Sequence, residues 1–289
     1  MPQLRFGCQL PQDVNSFESV IEAAKRCERL GYDSVWLYDH LSPFWSVCGP
    51  ALECWTTLSA VAAQTNEVKV GSLVTNMALR NPALLAKMSS TVDIISGGRL
   101  ILALGTGDKL SRNELYAYGY EFPSLDERVQ RLREGILIIK AMWTEDSTTF
   151  HGKYYKIEGA LNLPKPKQRP RPSIWVGGKN RRILDVAAEL ADGWNFWGLS
   201  KEAMKDRSSY LSEKCQQYGR KPSEILKSWS GKYGELSQNI GDRSEAARTV
   251  ASKLQDLANQ QIEYFIVSFD SGATPDNYEV IADSVKDLR

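Results

Sequence analysis

Short apolar runs alternate with longer amphipathic ones eight times along this chain, and that alternation restricts the fold more than any other feature. The runs Leu4–Leu10, Ser34–Asp39, Val68–Thr75, Leu100–Gly105, Ser173–Gly178, Gly193–Trp197, Leu226–Gly231 and Tyr264–Asp270 read as strands. Several are apolar on both faces, as expected of parallel strands covered inside and out. Between them, Phe17, Val20, Ile21, Ala24, Cys27 and Leu30 fall at helical spacing, as do Val129, Leu132, Ile136, Ile139 and Met142. Asn81-Pro82 supplies a cap and a first-turn proline, Ser124 with Glu127 reads as a capping box, and Thr274-Pro275 opens the last helix. Gly31 and Gly219 stand where helices stop. A doubly wound sheet usually has roughly five or six strands, so eight beats predict an α/β chain folded as a (β/α)8 TIM barrel, one domain over residues 1–289. The stretch Asp146 to Arg171 is too long for its beat. Thr148-Thr149-Phe150, Tyr154-Tyr155-Lys156 and the prolines that follow predict an inserted hairpin and extended segment between strands 4 and 5.

Charge excludes several partners. The 36 basic residues balance 35 acidic ones, which leaves no electrostatic case for nucleic acid or an anionic membrane. The five cysteines (Cys8, Cys27, Cys48, Cys54, Cys215) are scattered without a CxxC pair, so neither a disulfide framework nor a zinc site is expected. The two histidines, His40 and His151, are too few for a histidine-rich metal centre, and no GxSxG elbow is present. No apolar run approaches the ~18 residues of a membrane span, and Met1 to Phe6 passes straight into a strand, so a cytoplasmic location is expected.

In a barrel the chemistry gathers where strands end. After the second strand stands Tyr38-Asp39-His40-Leu41-Ser42-Pro43-Phe44-Trp45, and after the third Leu73-Val74-Thr75-Asn76. Gly105-Thr106-Gly107-Asp108-Lys109 follows the fourth, Val176-Gly177-Gly178 the fifth and Asn195-Phe196-Trp197 the sixth. His40 suits general acid–base work near neutrality. Asp39 either orients it or caps the next segment. Phe44 and Trp45 either stack on a planar ring or close the barrel mouth. Asp108 follows a turn that allows close backbone approach to a ligand, and a turn aspartate is the plainer reading. Gly177-Gly178-Lys179-Asn180-Arg181 joins a strand end to a helix start with basic side chains beside it, a phosphate cradle that is neither a Walker loop nor GxGxxG. Trp197, Trp229 and Tyr233 line the pocket or belong to the core.

The run Arg80-Asn81-Pro82-Ala83-Leu84-Leu85-Ala86-Lys87-Met88, then Thr91-Val92-Asp93-Ile94-Ile95-Ser96-Gly97-Gly98-Arg99-Leu100, resembles the luciferase-like monooxygenase superfamily. So do Phe150-His151-Gly152-Lys153-Tyr154-Tyr155 and Ala191-Asp192-Gly193-Trp194. Asp39-His40 with Pro43 and Trp45, and Gly105-Thr106-Gly107-Asp108, are most similar to its branch that uses coenzyme F420, a 5-deazaflavin. The resemblance implies hydride transfer between the deazaflavin and a small-molecule substrate of alcohol or sugar-phosphate type. It casts His40 as base and Asp39, Trp45 and Asp108 as further catalytic residues. Leu73, Val74, Asn76, Gly107, Val176, Gly177, Gly178 and Asn195 would hold the cofactor, with no metal. It also implies a non-prolyl cis peptide in the third strand, at Leu73–Val74, and a homodimer. This sequence departs from the sugar-phosphate enzymes in carrying Asp108 where they carry Glu, and in one extra residue before Trp45. The alternatives are an FMN-dependent monooxygenase, served by a separate flavin reductase, and a flavin-binding barrel without catalysis.

Overall fold

The structure is a computed structural model that describes residues 4–14, 16–43, 49–198, 200–237, 242–269, 274–286 and 288. All eight expected strands form, and they close a parallel barrel. In chain order the first half contains β1 (Arg5–Gln9), α1 (Phe17–Arg29), β2 (Ser34–Leu37), α2 (Cys54–Gln64), β3 (Lys69–Asn76) and α3 (Pro82–Ile95). Then follow β4 (Leu100–Gly105), α4 (Lys109–Ala117) and α5 (Leu125–Thr144). The inserted hairpin is β5 (Thr148–His151) with β6 (Lys156–Ala160), antiparallel and outside the barrel. The second half runs β7 (Ser173–Gly177), α6 (Arg181–Leu190), β8 (Gly193–Trp197), α7 (Lys201–Gln217), β9 (Leu226–Lys232), α8 (Tyr233–Ser237), α9 (Arg243–Ala258), β10 (Tyr264–Ser268) and α10 (Pro275–Lys286). The barrel order is β1-β10-β9-β8-β7-β4-β3-β2, so the insertion separates β4 and β7 in sequence without interrupting their pairing.

Helix ends follow local chemistry. The Asn81 side chain accepts from the Ala83 N–H at 2.8 Å with Pro82 in the first turn, as expected. Gly31 and Gly219 adopt φ +76 and +70 at the ends of α1 and α7. The capping box at Ser124 is only half made. Ser124 Oγ accepts from Glu127 N, but the Glu127 carboxylate turns instead to Arg131, four residues on along the same helix face.

The barrel's strands bury both faces. Outward residues such as Val35, Leu102, Val176 and Val267 pack under the helices. Inside, Trp36, Ile101, Ala103, Trp175, Tyr264 and Ile266 form a separate cluster. Its three rings lie with centroids 5.2 Å (Trp36–Trp175), 5.2 Å (Trp175–Tyr264) and 6.5 Å (Trp36–Tyr264) apart. Glycines on neighbouring strands make the space. A Cβ on Gly71 would lie 2.5 Å from the Trp36 ring, and one on Gly193 would lie 2.6 Å from Trp175. Such overpacking costs about 1–3 kcal/mol. The rings plug the lower barrel and leave the C-terminal strand ends open. Among the described residues no helix is long and apolar enough to cross a membrane, and Cys8, Cys27, Cys54 and Cys215 are buried, free thiols.

Candidate active site

Above the aromatic plug the strand ends enclose a cavity of about 380 Å³. Asp39, His40, Leu73, Val74, Asn76, Gly107, Asp108, Gly177, Gly178 and Asn195, ten of the residues singled out from sequence, line it together. Val176 does not. It is fully buried in the outer core, because side chains alternate along a strand and Gly177 takes the inward position. Trp45 and Phe44 lie outside the described residues.

His40 follows β2 at the cavity wall. Its Nδ1 lies 2.7 Å from Glu114 Oε1, and the other oxygen of Glu114 accepts from the Leu41 N–H at 2.8 Å. One carboxylate on α4 therefore fixes both the imidazole and the backbone beside it. With Nδ1–H donating to Glu114, the basic lone pair of the neutral ring is on Nε2. Burial opposes charging of His40, but the hydrogen bond and charge of Glu114, reinforced by Asp108 and Asp39, outweigh it and raise the imidazole above its ordinary 6.5. Burial likewise works against an ionised Glu114. The bonds from His40 and Leu41 overcome that, and the carboxyl lies below its ordinary 4.5.

Sequence reasoning missed Glu114. A signal was present, since Ser111, Glu114 and Leu115 share one face of α4 and both Ser111 and Leu115 are buried.

Asp39 is committed elsewhere than expected. It is 3% exposed, and its two oxygens receive the Arg80 guanidinium, while Oδ2 also accepts from Asn76 N at 2.9 Å. Arg80 continues to Glu53 at 2.7 Å, the residue that caps α2. Asp39 thus joins the loops after β2 and β3 and sets the backbone of Asn76, instead of capping the following segment. Burial pushes its carboxyl up from 3.8 against the pull of Arg80.

The Leu73–Val74 peptide is cis, as the resemblance implied, and the register between β3 and β4 shifts from Ser72 to Thr75. Val74 projects between two strand ends that carry no side chain. A Cβ on Gly105 would meet Val74 at 2.4 Å and one on Gly177 at 2.6 Å. The result is an apolar back wall with bare backbone on both sides. Gly107, at φ +72, occupies the left-handed region that favours glycine, and a Cβ there would approach the Asn76 amide at 3.1 Å. Arg128 secures this turn from outside by donating to the Thr106 and Gly107 carbonyls at 2.8 and 2.7 Å.

Asp108 next to the turn caps α4. Its Oδ1 accepts from Ser111 N at 2.9 Å and from Ser111 Oγ at 3.1 Å, and Ser111 Oγ accepts from Asp108 N in return. The reciprocal box expected at Ser124 is made here instead.

On the opposite wall, Asn195 donates to Ser228 Oγ at 2.8 Å and accepts from Ser230 Oγ at 3.2 Å. Two serines of β9 therefore hold its amide. Lys179 and Asn180 reach the cavity at the start of α6, whose cap is the Asn180 side chain. The two arginines beside them do not join this cradle. Arg181 pairs with Asp206 at 2.9 Å and Arg182 with Asp126 at 2.8 Å. Trp197 lines the cavity, Trp229 is core, and Tyr233 packs against Phe269. Among the described residues no group of His, Cys, Asp and Glu is arranged to hold a metal.

Known proteins share this plan. A family model described as luciferase-like monooxygenase matches residues 3–262. A protein from Kineococcus radiotolerans named F420-dependent glucose-6-phosphate dehydrogenase is 38% identical over 192 residues, 66% of this chain and 56% of that protein. A Mycobacterium tuberculosis protein named F420-dependent hydroxymycolic acid dehydrogenase is 29% identical over 243 residues, 84% of this chain and 64% of that one. The chain thus spans less than two thirds of the length of these relatives. A solved F420-dependent secondary alcohol dehydrogenase in complex with an F420-acetone adduct has a TM-score of 0.87 at 18% identity, with 99% of each chain covered, and so shares the fold. With the family pattern running from the first strand nearly to the last, the chain belongs to the luciferase-like monooxygenase family.

Proposed function

We propose that this protein is a coenzyme F420-dependent oxidoreductase acting on a small alcohol or carbonyl substrate, with His40 as proton acceptor. One observation carries the reading: an imidazole at the cavity wall is held through Nδ1 by a partly buried carboxylate, which orients it and supports its charged form. The names of the matched relatives support the cofactor.

The lining fits a flat ring bearing a phosphate. Leu73 and Val74 give an apolar wall, and Gly105 and Gly177 leave bare backbone where a Cβ would collide with Val74. Asn76, Gly107 and Asn195 offer hydrogen bonds around the ring. Gly178, Lys179 and the N-terminus of α6 suit the phosphate. When bound, the deazaflavin supplies a carbon, C5, that accepts or gives a hydride. His40 Nε2 takes the substrate hydroxyl proton during oxidation and returns it during reduction. Glu114 stabilises the resulting imidazolium. Asp108, whose Oδ1 is occupied by the α4 cap, lines the cavity and would relay a proton between solvent and the cofactor. Asp39 positions Asn76, and Trp45 completes the reacting centre by resemblance.

The reading treats residues 1–289 as one barrel that pairs as a cytoplasmic homodimer, which light scattering tests in part. It is tested directly by titrating the protein with F420 and with FMN. F420 is expected to bind and to be reduced in the presence of an alcohol substrate. Tight binding of FMN alone would replace this reading with an FMN-dependent monooxygenase fed by a reductase. Stoichiometric cofactor binding with no turnover of any substrate would leave a binding barrel.

A further inference from the structure

We infer that the substrate of this site is an uncharged alcohol–carbonyl pair with an apolar body, not a phosphorylated sugar; this rests on the hydride-transfer reading above. The inference comes from an inventory of positive charge. Among the described residues lining the cavity, Lys179 is the only lysine or arginine, and it stands beside Gly178 at the start of α6, where the cofactor phosphate is placed.

The neighbouring cations are engaged. Arg80 serves Asp39 and Glu53, and Arg128 serves two backbone carbonyls. Arg181 and Arg182 pair away from the cavity, and Lys109 beside Asp108 is exposed outside the lining. Lys232, the next same-face position beyond Ser230 on β9, already has a partner within the protein.

The sequence segments outside the described residues between positions 16 and 286 contain no lysine or arginine. Residues 44–48, 199, 238–241 and 270–273 read Phe-Trp-Ser-Val-Cys, Leu, Gln-Asn-Ile-Gly and Asp-Ser-Gly-Ala, with Asp270 their one carboxylate.

Negative charge is already present. Asp39 and Asp108 line the cavity and Glu114 backs His40, while the cofactor brings its own phosphate. A second phosphate would be desolvated beside like charges with nothing to pair it, the costliest way to bury an anion. The wall beyond the back of the site consists instead of Tyr38 and Trp197, with Gln9 and Ser230 as neutral polar contacts. Apolar walls with a few convergent polar groups recognise neutral organic molecules. During oxidation the carbinol carbon loses hydride to C5 and the hydroxyl loses its proton to His40. The products are a ketone or aldehyde and the reduced cofactor, whose second proton is drawn from solvent by way of Asp108, while the proton on His40 returns to solvent.

The test uses the full chain saturated with F420. Cyclohexanol, 2-pentanol, glucose and glucose 6-phosphate are each offered while the absorbance of the oxidised cofactor is followed. Calorimetry separately measures binding of cyclohexanone and of glucose 6-phosphate. We expect kcat/KM for an uncharged secondary alcohol to exceed that for glucose 6-phosphate by about a hundredfold or more, and only the ketone to bind saturably. Turnover of glucose 6-phosphate at an equal or higher kcat/KM, saturable binding of it, or failure of every uncharged alcohol and ketone would overturn the inference while leaving F420 dependence standing. Failure of F420 itself to bind, seen before any substrate is added, would remove the earlier reading and this one with it.

Discussion

The wall contributed by β2, β3 and α4 carries titratable and charged groups in contact, whereas the wall contributed by β7, β8 and β9 is bare backbone, a neutral amide, hydroxyls and the Trp197 ring, with one lysine at its edge. On the first, His40 meets Glu114 and Asp39 meets Arg80, pairs separated by 74 and 41 positions in sequence. On the second, Asn195 is held by Ser228 and Ser230 on the adjacent strand. The difference separates two tasks. Moving protons needs groups whose charge can change and be compensated, and compensation here comes from distant loops and a helix. Holding a ring needs only directional contacts and shape, which neighbouring strands supply locally.

The contrast can be broken most severely at His40. Replacing His40 with Asn is expected to lower kcat by about 10²–10⁴-fold at saturating F420 while the cofactor Kd changes little, measured by steady-state kinetics and binding titration. A comparable loss of cofactor binding would show that the charged wall also holds the ring.

Next in size is Arg80→Met. It leaves Asp39 buried and uncompensated, and is expected to cost about 3–5 kcal/mol of stability in urea denaturation. Asp39→Asn with Arg80→Met removes both charges and should recover part of that loss. Equal destabilisation by the single and double variants would mean that the pair contributes packing, not charge compensation.

Glu114→Gln sharpens the comparison through pH. Activity requires neutral His40, so kcat/KM of the natural protein rises with pH through an imidazole pKa above 6.5. Without the carboxylate, burial prevails and that limb moves to lower pH, with kcat reduced by about tenfold. An unmoved limb would detach Glu114 from the proton chemistry. Stability should follow the same pair. The His40 contribution is complete below 6.5 and is lost as pH rises through its raised folded value. The Glu114 contribution is complete above 4.5 and is lost as pH falls through its lowered folded value. Their joint stabilisation is therefore greatest between those limits.

The smallest effect is expected on the neutral wall. Ser228→Ala removes one partner of Asn195 and should weaken F420 binding by about 0.5–1.5 kcal/mol with no change in the pH profile. A shifted profile would mean that the two walls are electrically coupled.

The same division explains what could be read from the chain alone. Strands were legible because parallel barrel strands are buried on both faces, and strand ends located ten of the expected lining residues without knowledge of any contact. Val176, which the resemblance implied would hold the cofactor, faces the outer core, and a strand's terminal alternation depends on register, which periodicity leaves open by one residue. Glu114 and Arg80 escaped because their meaning lies in residues far away in sequence, and neither His40 nor Asp39 announces its partner locally. Asp108 displayed a local signal, Ser111 three positions on, that marks a cap as plainly as any ligand contact. Arg181 and Arg182 looked like part of a cradle because sequence adjacency hides direction, and the helix they begin turns both toward carboxylates elsewhere.

Three rings packed at a tilt or edge to face beneath the cavity make the barrel a vessel with one opening. Whatever rests against Val74 at the bottom has to arrive before its reaction partner and depart after it. Steady-state turnover would accordingly follow a compulsory queue, with a dead-end mimic of the second arrival trapping the first inside.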